Sequence, residues 1–158
     1  MPTETTLTVI RLEHRFLVPA EQVFRAWTEP RALERWAWGS LGHDVHASVD
    51  LRVGGTFMIS MRRPDGERWA FSGNYTEIEP NRRLAHTLHW DAPMGYDAAA
   101  ETVSVDFEEH EGETMVVFRH SGDLGLAALE GHREGWQDVL AALERHLEDE
   151  RERSTPGT

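Results

Sequence analysis

The sequence predicts an α+β fold. It has a curved antiparallel sheet of about seven strands, two short helices after the first strand, and a long C-terminal helix packed across the concave face. Three observations carry this expectation. Between His43 and Asp123 the apolar residues alternate in short runs, punctuated by turn-forming clusters such as Pro64-Asp65-Gly66. The stretches after Pro19 and after Gly131 instead repeat apolar residues at helical spacing. The chain has 158 residues, 39% hydrophobic and 28% charged, which suits one globular domain over residues 1–158 with an ordered core over about 6–149.

The elements follow in order. Thr6 to Val18 alternates around Leu7, Val9, Leu12, Phe16 and Val18 and reads as the first strand. Pro19 opens a helix, because a proline in the first turn gives up no hydrogen bond there, and Ala20, Val23, Phe24 and Trp27 form its inner stripe. A second short helix, Arg31 to Trp36, carries Leu33 and Trp36 inward and is stopped by Gly39 and Gly42. Six strands follow. The first alternates Val45, Ala47, Val49 and Leu51 and turns at Gly54-Gly55. The next four are Thr56–Arg63, Glu67–Ile78, Arg83–Trp90 and Glu101–His110, and Thr114–Ser121 closes a hairpin around Glu111-Gly112-Glu113. His132, Trp136, Val139, Leu140, Leu143 and Leu147 then mark the long helix, with Glu150 to Thr158 expected to fray. Asp91 to Ala100 and Asp123 to Gly131 read as loops at the two lips of the sheet.

Composition removes whole classes of chemistry. Cysteine is absent, which excludes disulfides, iron–sulfur clusters and thiol nucleophiles. Every basic residue is an arginine, so Schiff-base and P-loop lysine chemistry are excluded too. A net charge of −12 opposes nucleic acid and anionic membrane, and no apolar run is long enough to span a bilayer. The expected location is the cytoplasm.

Strand parity places side chains on faces. Trp69, Phe71 and Tyr75 share one face, as do Leu84, His86, Leu88 and Trp90 on the next strand. Val103, Val105 and Phe107 continue it. The last strand offers Val116, Phe118 and His120 on one side and Met115 and Val117 on the other, leaving its orientation open. An aromatic-rich concave sheet closed by a single helix implies an apolar cavity between them.

Several motifs occur in order along the chain. They are Pro19-Ala-Glu-Gln-Val-Phe-Arg-Ala-Trp27-Thr-Glu-Pro30 with Leu33 and Trp36, then Asp50-Leu-Arg-Val-Gly-Gly55 before Phe57. Gly73-Asn-Tyr-Thr-Glu-Ile-Glu-Pro80 with Arg83-Leu84 follows, then His120-Ser-Gly122 and Gly131-His-x-x-Gly-Trp136. From about Arg11 to Leu147 this pattern resembles the activator of Hsp90 ATPase homologue 1-like (AHSA1-like) family. The resemblance implies the helix-grip fold of the START/Bet v 1-like (SRPBCC) superfamily, whose members hold a hydrophobic ligand between sheet and C-terminal helix. It carries over no catalytic residues. The family's eukaryotic co-chaperones have an additional N-terminal domain, whereas this sequence starts at the first strand, so an Hsp90-type chaperone is not an expected partner.

The expected function is binding of a small hydrophobic or aromatic molecule, with no cofactor, no metal and no defined reaction, and with a homodimer left open. The expected ligand-binding residues are Trp69, Phe71, Tyr75, His86, Leu88, Trp90, Phe107, Phe118, His120, His132 and Trp136. The alternative is a polyketide cyclase or dehydratase-like enzyme using His86 or His120 as general base, as the related cyclase branch suggests. A co-chaperone-like interaction protein is the third reading. Nine histidines raise the question of a metal. His43/His46 and His86/His89 are each three apart, which on a strand places the two rings on opposite faces.

Overall fold

The computed structural model describes residues 8–90, 101–122 and 125–154. Seven antiparallel strands form one open sheet: β1 (Thr8–Phe16), β2 (His46–Val49), β3 (Thr56–Arg62), β4 (Arg68–Glu79), β5 (Arg83–Trp90), β6 (Glu101–His110) and β7 (Glu113–Gly122). Their lateral order is β1-β7-β6-β5-β4-β3-β2, so strands adjacent in sequence at the start of the chain lie on opposite edges. The segment joining them holds α1 (Ala20–Thr28), α2 (Pro30–Trp36) and a short 3-10 turn, Gly39–Leu41. The long helix α3 (Gly125–Ser154) completes the fold.

Both ends of α3 differ from the sequence expectation. Helix begins at Gly125, inside the stretch read as a loop lip, and continues through Glu150 to Ser154, where fraying was expected. Arginines at 151 and 153 lie in the last turn, where cations favour the carbonyl end of a helix. The flap expected over Asp91 to Ala100 lies outside the described residues, as do Asp123 and Leu124.

Local chemistry explains how the helices are seated. α1 has no side-chain cap of its own. Its first N–H, from Ala20, donates instead to the Glu109 carboxylate of β6 at 2.7 Å. α1 buries Val23, Phe24 and Trp27, and the Trp36 indole N–H of α2 donates to the Ala26 carbonyl at 2.9 Å. Asp138 of α3 accepts from both the backbone N–H and the hydroxyl of Ser40. Glu34 of α2 accepts from Ala47 N–H at the β2 edge. Acidic side chains thus tie all three helices to other elements.

The sheet faces sort as parity requires. His120, Phe118 and Val116 are buried toward α3, which settles the orientation of β7, although Val117 on the other side is buried as well. The outer face carries a charged row in which Asp106 accepts from Arg83 at 2.8 Å and from Arg119 at 3.0 Å. Arg25 and Arg52 pair with Glu29 and Asp50 at the surface.

Two glycines shape the concave side. A Cβ on Gly55 would lie 2.1 Å from the Asp50 carbonyl, so the β2–β3 turn closes only around glycine. A Cβ on Gly73 would lie 2.0 Å from the Thr87 carbonyl and 2.8 Å from the Phe57 ring. Gly73 therefore lets Phe57 lie flat on β4, next to the residues described below.

Candidate functional site

Register builds the site. Ile10, His120, Val103 and His86 are successive cross-strand partners on β1, β7, β6 and β5, and His86 pairs in turn with Tyr75 of β4. Both histidines therefore point to the same concave side, separated by one strand. A bulge between Tyr75 and Glu77 shifts the β4–β5 register just beyond this row.

At the His86 end lies a small, partly open apolar pocket. Its walls are Trp27, Leu33, Trp36 and Ala37 from the helices, Phe57, Ile59, Phe71, Tyr75, Leu84, His86, Val103 and Phe118 from the sheet, and Trp136 from α3. The space open to the centres of water-sized spheres is about 40 Å³, room for roughly three waters. His86 Nδ1 lies 2.7 Å from the Thr87 carbonyl. A carbonyl only accepts, so Nδ1 carries the proton and Nε2 keeps its lone pair. No hydrogen bond within the described residues reaches Nε2 or the Tyr75 hydroxyl, and both atoms keep some accessible surface. Both residues are more than nine-tenths buried. Burial lowers the His86 pKa to about 4 and raises that of Tyr75 to about 12, so both are neutral at pH 7.

At the other end the polar groups are saturated. The Trp136 indole donates to His120 Nδ1 at 3.0 Å. An indole N–H can only donate, so Nδ1 accepts and Nε2 must hold the proton. That Nε2–H donates to the Glu101 carboxylate at 2.6 Å, which the Trp90 indole also approaches at 3.4 Å. His120 and Glu101 are fully or almost fully buried. His132 of α3 stacks on Trp90 at 5.6 Å and meets the His120 ring edge-on at 5.4 Å. Burial, reinforced by His120, lowers the His132 pKa. The relay runs from α3 through β7 to β6 and fastens the helix to the sheet.

The residues singled out from the sequence fall into three groups. Phe71, Tyr75, His86, Phe118 and Trp136 line the cavity. Trp90, His120 and His132 belong to the relay, which Trp136 joins to the cavity. Leu88 is buried between neither, Phe107 packs under α1 against Phe24 and Trp27, and half-buried Trp69 lies beneath the Arg63 guanidinium at 4.1 Å. Sequence reasoning missed Glu101. Its parity is that of Val103, Val105 and Phe107, and a carboxylate on an inward-facing row is a signal of a buried partner. It also placed Trp27, Leu33 and Trp36 in helix cores without assigning them to the cavity wall.

A curved antiparallel sheet gripped by one long C-terminal helix over an apolar interior defines a helix-grip protein of the START/Bet v 1-like type. The family model described as "Activator of Hsp90 ATPase homolog 1-like protein" matches residues 17–148, and the chain belongs to that family. Among solved structures, an AHSA1-like protein from Aeromonas hydrophila is 27% identical, with a TM-score of 0.71 over 90% of this chain and 93% of that one. An uncharacterised protein from Rhizobium leguminosarum is 27% identical, with a TM-score of 0.73 over 91% and 96%. CalU16 from Micromonospora echinospora shares the fold at 23% identity, with a TM-score of 0.67 over 92% and 79%. No curated protein matches the chain.

Proposed function

We propose that this protein binds a small hydrophobic or aromatic molecule between its sheet and its C-terminal helix. One observation carries the reading: an apolar interior cavity whose wall is built from the sheet, both short helices and Trp136 together. Trp136 fills the side toward α3, so a ring-sized ligand needs it to give way. That movement breaks the indole bond to His120, while the neighbouring turn of the helix is loosely packed. Gly131 and Gly135 both precede Trp136, and a Cβ on either would meet no heavy atom within 4 Å.

The test is an amide-NMR titration with toluene and naphthalene. Saturable shifts in cavity residues are expected, and Trp136→Ala, which enlarges the interior, is expected to tighten binding several-fold. No saturable response in either protein overturns the reading.

A second reading, an enzyme of cyclase or dehydratase type, has one observation in its favour: His86, whose Nε2 has no hydrogen bond among the described residues, lines the pocket. His120 does not serve it, because both its ring nitrogens are engaged. A base whose pKa is held at about 4 takes a proton only weakly at pH 7. Turnover of a polyketide-like substrate, abolished by His86→Gln with binding retained, would establish it.

A further inference from the structure

We propose that the cavity selects a neutral ligand bearing a hydroxyl on an aromatic ring, a phenol or enol, which donates its hydrogen to His86 Nε2 and accepts one from the Tyr75 hydroxyl. This rests on the cavity being a binding site and names the chemistry it prefers.

Two polar atoms beside this pocket have no protein partner among the described residues. A ligand that displaces water from a polar atom without replacing its hydrogen bond loses affinity, and a stranded donor or acceptor costs more than a bonded one gains. Here no hydrogen bond within the described residues reaches His86 Nε2 or the Tyr75 hydroxyl, both residues line the pocket, and their ring centroids are 6.2 Å apart. One offers only a lone pair. The other, a neutral phenol, can donate. A single hydroxyl satisfies both, since it carries one hydrogen and two lone pairs. The wall beside them combines aliphatic Leu84 and Val103 with aromatic Phe57 and Phe71, and Phe57 meets the His86 ring edge-on at 4.6 Å. That environment suits the ring of the ligand.

Charge narrows the choice. Neither His86 nor Tyr75 is ionised at pH 7, so the cavity wall has no cation to receive a carboxylate. Burying an unpaired anion there is prohibitive. The buried Glu101 carboxylate further along the same sheet face adds repulsion. A site built to hydrogen-bond a hydroxyl also disfavours the analogue that lacks it, because its polar groups then stay unpaired.

The experiment compares phenol, toluene and benzoate by amide-NMR titration of the full chain, the His86→Phe variant and the Tyr75→Phe variant. The wild type is expected to bind phenol about tenfold more tightly than toluene, with benzoate weakest. His86→Phe should erase the preference while retaining toluene binding, which also shows that the variant folds. Tyr75→Phe should reduce the preference by about threefold. Toluene binding as tightly as phenol, benzoate binding best, or an unchanged preference in His86→Phe overturns the proposal while leaving the cavity reading intact. Failure of all three compounds to bind the wild type overturns both.

Discussion

His86 and His120 occupy the same row of one sheet, on the same face, with Val103 between them, yet they are opposite kinds of buried histidine. His120 is held from both sides, by an indole donor and by a carboxylate acceptor, and joins three elements. His86 spends one nitrogen on its neighbour's carbonyl and keeps the other bare. The difference lies in what stands opposite each ring. His120 faces Trp136 and Glu101, whereas His86 faces Phe57, Tyr75 and the cavity. A saturated polar group fastens a structure together, and an unsaturated one is available to a visitor.

The largest expected effect breaks the fastening. His120→Ala leaves the buried Glu101 carboxylate with only a long indole contact and is expected to cost about 3–5 kcal/mol. His86→Phe should cost about 1 kcal/mol, since it removes a single hydrogen bond. Urea unfolding of both variants measures the contrast, and equal losses would erase the distinction drawn between the two sites.

The next effect is a pH dependence. The pKa of His86 is about 4 in the native state against 6.5 when unfolded, so between those values the unfolded chain binds more protons. Stability is therefore full above pH 6.5 and falls as the pH drops toward 4, by up to about 3 kcal/mol from this residue. His132 and His146, whose pKa values are also lowered chiefly by burial, act in the same direction. Urea midpoints at pH 7 and pH 4.5 should differ less in His86→Phe than in the wild type. An unchanged difference would mean that His86 is already protonated in the folded protein.

The smallest effect isolates one hydrogen bond. Trp136→Phe keeps a ring against Phe118 but removes the donor to His120, at about 1 kcal/mol plus the lost indole area. Exchange of the amides in the first half of α3 should quicken relative to that after Val139, where Leu140, Leu143 and Leu147 are buried.

Much of this was legible before any coordinates, and what was not has a common cause. Parity alone put Tyr75 and His86 on an aromatic-rich face and set Phe118 and His120 on one side of the last strand, because a strand has only two sides, while leaving open which side faced inward. The helices announced themselves through Pro19, Trp27 and the Leu140–Leu147 spacing. The pairing of His120 with Glu101 was invisible, since it depends on β6 and β7 lying side by side in a particular register. Trp136 as the donor that sets the His120 tautomer required knowing how α3 crosses β7. The size of the cavity was hidden for a different reason: it is the small space left among large side chains, and no single residue encodes it. β7 was ambiguous because Val117 is buried on the side away from α3.

The pairing of the two chain-distant strands has a bearing on how the molecule assembles. β2 through β7 form a meander in which each strand meets the one before it, through short connections or the longer one between β5 and β6. β1 is the exception: Phe16 lies opposite Thr114 and Thr8 opposite Gly122. Such a contact closes a long loop and is entropically the last to be made. On the ribosome the strand synthesised first must wait for the strand synthesised sixth after it. Until then Ile10, Leu12 and Phe16, all buried in the finished protein, stay in water together with the facing edge of β7. This pair of edges is where a nascent or refolding chain is most exposed to pairing with another copy of itself.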